Sequence, residues 1–163
     1  MSSPGARSRP PTLGSLLRVA SQAMNERLAR WIAASDFRGV QPAHSAVIQP
    51  LSAAAGGARI TALARASRIT KQSMSTLVAD LDAAGYVERV EDPDDARATR
   101  IRLTPRGRAY ARAVRAFALG MEAEWAESIG ARRVEELRAT LILLRSKMFL
   151  ADGEPAGPDE RSP

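Results

Sequence analysis

The chain has 163 residues, with 24 Lys+Arg against 18 Asp+Glu for a formal net charge of +6, one histidine and no cysteine. The missing cysteine excludes disulfides, thiolate zinc sites and cysteine nucleophiles, and the lone His44 cannot build a histidine cluster, so neither a metal nor a cofactor is expected. A chain of this length buries roughly 69% of its unfolded surface, enough for one domain with a proper core; apolar residues make up 45% of it but aromatics only 4%, a composition that favours helices packed through Ala, Leu, Val and Ile.

Residues 1–11 and 152–163 concentrate Pro, Gly, Ser and charge with no periodic apolar face, and both read as disordered tails. No export signal or membrane span is visible, so a cytoplasmic protein is expected. The first element is a long helix over 12–33, where Leu13, Leu17, Ala20, Met24, Leu28 and Trp31 recur at steps of three and four behind Thr12 as its cap. Pro42 suits the first turn of a second helix reaching the Gly56-Gly57 stop, with Pro50 inside it as a kink or early end. Segments 60–66 and 71–84, separated by Ser67, Arg68, Ile69 and Thr70, have helix-turn-helix spacing. In the second of them Met74, Leu77, Val78 and Leu81 form a buried face, Thr70 caps the start and Gly85 closes the end.

After Gly85 the period drops toward two, and residues 86–90 and 99–103 read as strands of a hairpin, or wing, around a polar loop over 91–98. Thr104-Pro105 opens a long helix carrying Tyr110, Val114, Phe117, Met121 and Trp125, which Gly130 ends. The last helix aligns Val134, Leu137, Leu141, Leu144 and Met148, with Ile142, Leu143, Phe149 and Leu150 adding apolar surface beyond what one small domain needs. The expected fold is mainly α with a small β-hairpin wing, a single domain over 12–151. Its winged helix-turn-helix lobe spans 42–104, and helices over 12–33 and 105–150 are left for dimerisation, with Leu137, Leu141, Leu144 and Met148 as the seam.

Three features converge on duplex DNA. With the apolar face of 71–84 turned inward, Lys71, Gln72, Ser73, Ser75, Thr76 and Ala79 lie outward, an unobstructed set of short polar groups and one cation that suits base edges in a major groove. Between Ala96 and Met121 the chain carries Arg97, Arg100, Arg102, Arg106, Arg108, Arg112 and Arg115 without one acidic residue; outward Arg100 and Arg102 suit phosphates while Ile101 and Leu103 hold the wing to the core. The wing loop is acidic, with Glu91, Asp92, Asp94 and Asp95, which fits DNA only if a carboxylate serves an arginine: Asp95 is placed to clamp the Arg97 guanidinium for a narrow minor groove. Each feature taken singly has a plainer reading, as a solvated helix face, a solvated charge run and an exposed turn. An enzyme is not expected, because no Gly-rich phosphate loop, nucleophile elbow or metal spacing occurs, and Glu122, Glu124 and Glu127 read as exposed helix charges.

The stretch Asp95-Ala96-Arg97-Ala98-Thr99-Arg100-Ile101-Arg102-Leu103-Thr104 resembles the wing pattern of the MarR family of bacterial transcription regulators, Asp-x-Arg-Ala-x-x-Val-x-Leu-Thr, with Ile101 in place of Val. Upstream, Thr70 to Val78 followed by Leu81, Ala83, Gly85 and Val87 resembles that family's reading helix and its exit, and Thr104-Pro105-Arg106-Gly107 the start of its dimerisation helix. The resemblance implies a homodimeric winged helix-turn-helix protein that reads a pseudo-palindromic operator on double-stranded DNA, more commonly as a repressor, and is often released by a small-molecule effector.

Carried across, the major-groove role falls on Lys71, Gln72, Ser73, Ser75 and Thr76, and the wing role on Arg97 with Asp95. Two reading helices must stand about 34 Å apart to meet successive turns, which a two-fold dimer provides. For a small aromatic or phenolic effector the expected pocket lies near Trp31, Phe37, His44 and Tyr110, although a histidine placed like His44 is more often a helix-surface or capping residue than a ligand contact, and Trp31 fits the stripe of the first helix. The alternative to a regulator is a winged-helix module that binds protein, or an architectural module that binds DNA without sequence preference.

Overall fold

A computed structural model of the chain describes residues 10–151; of the expected tails at 1–11 and 152–163, residues 1–9 and 152–163 lie outside the described residues, as do the side chains of Ala96, Phe149, Leu150 and Ala151. The order is α1 (Leu13–Ala34), a 3-10 turn (Pro42–His44), α2 (Ser45–Ala53), α3 (Ile60–Ser67), α4 (Lys71–Ala83), β1 (Val87–Asp92), β2 (Asp95–Leu103), α5 (Pro105–Ile129) and α6 (Ala131–Ala151). The result is a mainly helical fold with one antiparallel hairpin, the winged helix-turn-helix arrangement that the spacing predicts. Two compact units divide it, one ending at Val114 and the other beginning at Arg115, inside α5.

In the first unit, α2, α3, α4 and the hairpin pack around Val47, Ile48, Leu51, Leu63, Met74, Val78, Leu81, Val87, Ile101 and Leu103, all buried. Burial of Met74, Val78 and Leu81 along one stripe fixes the roll of α4, so its polar residues must face outward. Thr70 caps α4 by accepting from the Ser73 backbone N–H at 3.1 Å, and Gly85, at φ +76°, takes the left-handed conformation that ends it. The hairpin is tied back to the helices by Ala58, which exchanges both backbone hydrogen bonds with Ile101 at 3.0 and 2.9 Å.

Three boundaries differ from expectation. The second helix begins with a 3-10 turn and stops at Ala53, short of the glycine pair, with Pro50 inside it. The polar loop shrinks to Pro93 and Asp94, because Glu91, Asp92 and residues 95–98 join the strands. Tyr86 is not a strand residue; it is a fully buried side chain whose hydroxyl donates to the Arg38 carbonyl at 3.0 Å.

Of the α1 stripe, Leu28 is buried and Trp31 half-buried, whereas Leu13, Leu17 and Met24 are exposed; Ile32, outside the stripe, is buried as well. In the second unit, the rest of α5 and α6 form a helix pair around Gly130, with Met121 and Val134 buried. A fork from Arg138 binds Glu122 at 2.6 Å and reaches Glu135 at 3.3 Å, and these two carboxylates hold the guanidinium pKa above its ordinary value.

Candidate nucleic-acid interface

The residues expected to meet bases lie on the first turns of α4. Lys71, Gln72, Ser73 and Thr76 are exposed, and Ser75 is half-buried. The Ser73 hydroxyl shares a 2.9 Å hydrogen bond with the Thr70 hydroxyl, and that of Thr76 donates to the Gln72 carbonyl at 3.2 Å. The side chains of Lys71 and Gln72 make no hydrogen bond or ion pair among the described residues. That leaves a cation and an amide uncommitted on a helix whose orientation the core dictates, the two groups that pair with guanine and adenine edges.

The wing departs from the sequence reading in two respects. Asp95 does not clamp the Arg97 guanidinium: its Oδ1 accepts from the Arg97 backbone N–H at 3.1 Å, while its Oδ2 lies 3.5 Å from Arg59. A carboxylate two residues ahead of an N–H closes this local turn more readily than it reaches a long side chain. Arg100 is not free for phosphate either. Its Nε binds Asp92 at 2.9 Å and its Nη2 binds Asp94 at 2.7 Å, so it is spent inside the protein. Arg102 pairs across the hairpin with Glu88 at 2.9 Å, both about half-exposed. The Arg97 guanidinium is exposed and makes no ion pair among the described residues.

Asp92 and Arg59 are the pair that sequence reasoning missed. Asp92 is buried, Arg59 donates to its Oδ2 at 2.6 Å, and the hydrogen bonds from Arg100 and Arg59 hold its pKa far below the usual carboxylate range. A signal existed in Asp92-Pro93-Asp94-Asp95: Asp followed by Pro is the opening of a tight turn, which would have shortened the loop and set Asp92 at its base. The arginine run is also partly structural. Arg106 stacks over the Tyr86 ring at 4.5 Å and donates to the Ala84 carbonyl, and Arg108 donates to the Leu103 carbonyl at 2.7 Å.

The four expected pocket residues fall into two places. Trp31, Phe37 and Tyr110 stack in series, with ring centroids 6.2 and 5.1 Å apart, and Tyr86 continues the cluster at 5.4 Å from Tyr110. Tyr110 is buried with its hydroxyl unpartnered among the described residues, and burial, with Tyr86 beside it, pushes its pKa up to about 12. His44 stands apart as a buried cap: Nδ1 accepts from the Gln41 N–H at 3.1 Å, and Nε2 lies 3.8 Å from Asp80 beside a cleft lined also by Gly39, Val40 and Ala84. Burial lowers the His44 pKa against the opposing pull of Asp80. Phe37 lines a different cleft, with Ile32, Ala33 and Pro42. On α6, Leu137, Leu141 and Met148 are exposed and Leu144 is half-buried.

The family model of the MarR family matches residues 38–98. Among solved structures, a crystal structure of a MarR family transcription regulator is 30% identical, covers 86% of this chain and 96% of its own, and superposes with a TM-score of 0.59. A probable transcriptional regulator from Pseudomonas aeruginosa is 28% identical over 82% of this chain and 96% of its own, with a TM-score of 0.64. The S. aureus MepR–DNA complex shares the fold at 21% identity, 84% and 96% coverage, and a TM-score of 0.69. No curated protein matches the chain.

Proposed function

The chain belongs to the MarR family of transcription regulators, and from that premise we propose that it binds a pseudo-palindromic operator on double-stranded DNA as a homodimer, as a cytoplasmic repressor. The observation that carries this reading is α4, whose Lys71 and Gln72 are uncommitted while Met74 and Val78 are wholly buried beneath them. A helix held this way presents its N-terminal side chains to base edges with little orientational freedom left to lose. Ser73, Ser75 and Thr76 complete the major-groove set, and Arg97 serves the minor groove from the wing, with Asp95 fixing its backbone. Arg102 and the exposed Arg112 contribute phosphate contacts.

The homodimer is supported by apolar surface that a single chain leaves in water: Leu13, Leu16, Leu17 and Val19 on α1, and Leu137, Leu141, Ile142, Leu143 and Met148 on α6. Release by a small aromatic or phenolic effector belongs to the same reading, at the cluster of Trp31, Phe37 and Tyr110 with His44 nearby in sequence. It requires an effector that prefers the dimer form whose reading helices are misplaced, since equal affinity for both forms shifts nothing.

Selection of bound duplexes from a random pool at physiological salt tests the central claim. The expected product is an inverted repeat with half-sites about 10 bp apart, and affinity that falls steeply with salt. Gln72→Ala should change which bases are tolerated, whereas Arg112→Ala should weaken all sequences alike and flatten the salt slope. A pool without enrichment, or weak binding indifferent to sequence, would overturn the reading in favour of a protein-binding or architectural module.

A further inference from the structure

Residues 91–97 carry four carboxylates and one guanidinium, a local charge of −3 at an edge that the proposed function sets against phosphates. The fold answers this with two cations brought in from outside the tip. Asp92, 2% exposed, takes three donors: Arg59 Nε on Oδ2 at 2.6 Å, and Arg100 Nε at 2.9 Å and the Asp94 backbone N–H at 3.1 Å on Oδ1. The same two guanidiniums continue to Asp94 at 2.7 Å and Asp95 at 3.5 Å, so that with Arg59 and Arg100 included the tip carries −1. Arg59 comes from the residue before α3, which makes the cluster a tether between the wing tip and the start of the helix-turn-helix.

The strand register shows what the tether does to the tip. Glu91 lies opposite Thr99 but Asp92 lies opposite Asp95, so residues 96–98 of β2 find no pairing partner among the described residues and bulge from the ladder. Arg97 is the middle residue of that bulge, and its backbone N–H is held by Asp95. A carboxylate that turns inward and saturates itself with charged donors is strongly committed to one geometry, because freeing either partner leaves a buried charge unpaired.

We propose that Asp92 is the positioning residue of the wing: bound by Arg59 and Arg100, its buried carboxylate sets the bulge over 96–98 and neutralises the acidic tip, so that Arg97 is the tip's uncommitted cation facing DNA. The inference rests on the DNA-binding reading above and goes beyond it in assigning the role to Asp92, outside the Asp95–Arg97 motif. The gain is preorganisation, since an arginine on a loose acidic loop loses affinity to ordering and to capture by neighbouring carboxylates.

The experiment compares Asp92→Asn, Arg97→Ala and the double variant on a duplex selected by the wild-type chain, at fixed salt. Each single variant should weaken binding about tenfold or more, the loss expected for one groove contact. The double variant should bind no worse than Arg97→Ala alone, with preference lost at bases flanking the half-sites and kept at those under α4. Independent losses that multiply in the double variant, or Asp92→Asn binding like wild type, would overturn the assignment. In the free protein, amide exchange should quicken over 94–100 in Asp92→Asn and stay unchanged in α4; an unaltered hairpin would equally overturn it. Should Asp92→Asn not fold, Arg59→Gln, on the half-exposed side of the pair, enters the same comparison with the same expectations. If the wild-type chain selects no duplex, the DNA-binding reading fails and takes this role with it, whereas a selected duplex and an indifferent Asp92→Asn defeat the tether alone.

Discussion

The Ser67 hydroxyl donates a 2.5 Å hydrogen bond to the carbonyl of Ala46, the oxygen that Pro50 leaves without its donor inside α2. Proline has no N–H, so the carbonyl four residues earlier loses its helical partner. The last residue of α3 supplies a replacement and stitches the two helices together. Ser67→Ala should therefore destabilise the fold by about 1–2 kcal/mol in urea unfolding. In a Pro50→Ala background, where the backbone donor returns, the same substitution should cost less than about half as much. Equal costs in the two backgrounds would show that the hydroxyl does not stand in for the missing N–H.

Gly107, in the first turn of α5, sits where a side chain has no room: a Cβ there would lie 1.9 Å from the Tyr86 carbonyl oxygen and 3.2 Å from Leu103 Cδ2. Thr104 fixes the approach from both sides, donating to the Gly85 carbonyl at 2.7 Å and accepting from the Gly107 N–H at 3.0 Å. Gly107→Ala must push α5 away from the Tyr86 backbone, at about 1–3 kcal/mol. Thermal unfolding checks it, and a melting temperature equal to wild type would contradict the close approach.

Stability should depend on pH in two separate windows. His44 has a pKa lowered in the fold by burial, so below its ordinary value of about 6.5 the unfolded chain binds the proton more readily. Its contribution is present at neutral pH and is lost as pH falls through the folded value. Asp92, held low by Arg100 and Arg59, likewise contributes above the ordinary carboxylate range and loses that contribution under strongly acid conditions. Urea midpoints between pH 7 and 5 should fall less steeply in His44→Asn than in wild type, and those below pH 4 less steeply in Asp92→Asn. Parallel curves in the upper window would remove His44 as a titrating group of the fold.

Leu141 and Leu137 are exposed on α6 at 39% and 48% of their surface, beside exposed Ile142, Leu143 and Met148, an apolar set of the kind that marks a protein–protein contact. Burying one such side chain is worth about 1.5–3 kcal/mol, and a symmetric dimer buries it twice. Leu141→Glu is expected to convert a dimer to monomer in sedimentation velocity at micromolar concentration while the helical content stays unchanged. A variant that still sediments as wild type would place the seam elsewhere.

The order of elements was legible because each one is set by neighbours in sequence: Thr70 and Gly85 mark the ends of α4, Thr104 and Pro105 the start of α5, and Met74, Val78 and Leu81 repeat at the spacing of one helical face. Those signals act within a turn or two of chain, so local rules suffice to read them. The polar residues of α4 were legible as the complement of its apolar stripe, since a helix has only one way to bury that stripe.

Partnership was decided by the tertiary structure. Arg59 and Asp92 are 33 positions apart, and nothing local says that an arginine before α3 will bury a carboxylate of the wing; only the packing of the hairpin on the helix-turn-helix brings them to 2.6 Å. Arg100 looked free by strand alternation and keeps its regular place opposite Val90, but the buried Asp92 and its neighbour Asp94 take its guanidinium, while the register shift beyond Glu91 puts Arg97 outside the ladder. Charge in a sequence is additive and indifferent to order in space. Whether a carboxylate opposes DNA or serves an arginine depends on which guanidinium the folded chain carries to it.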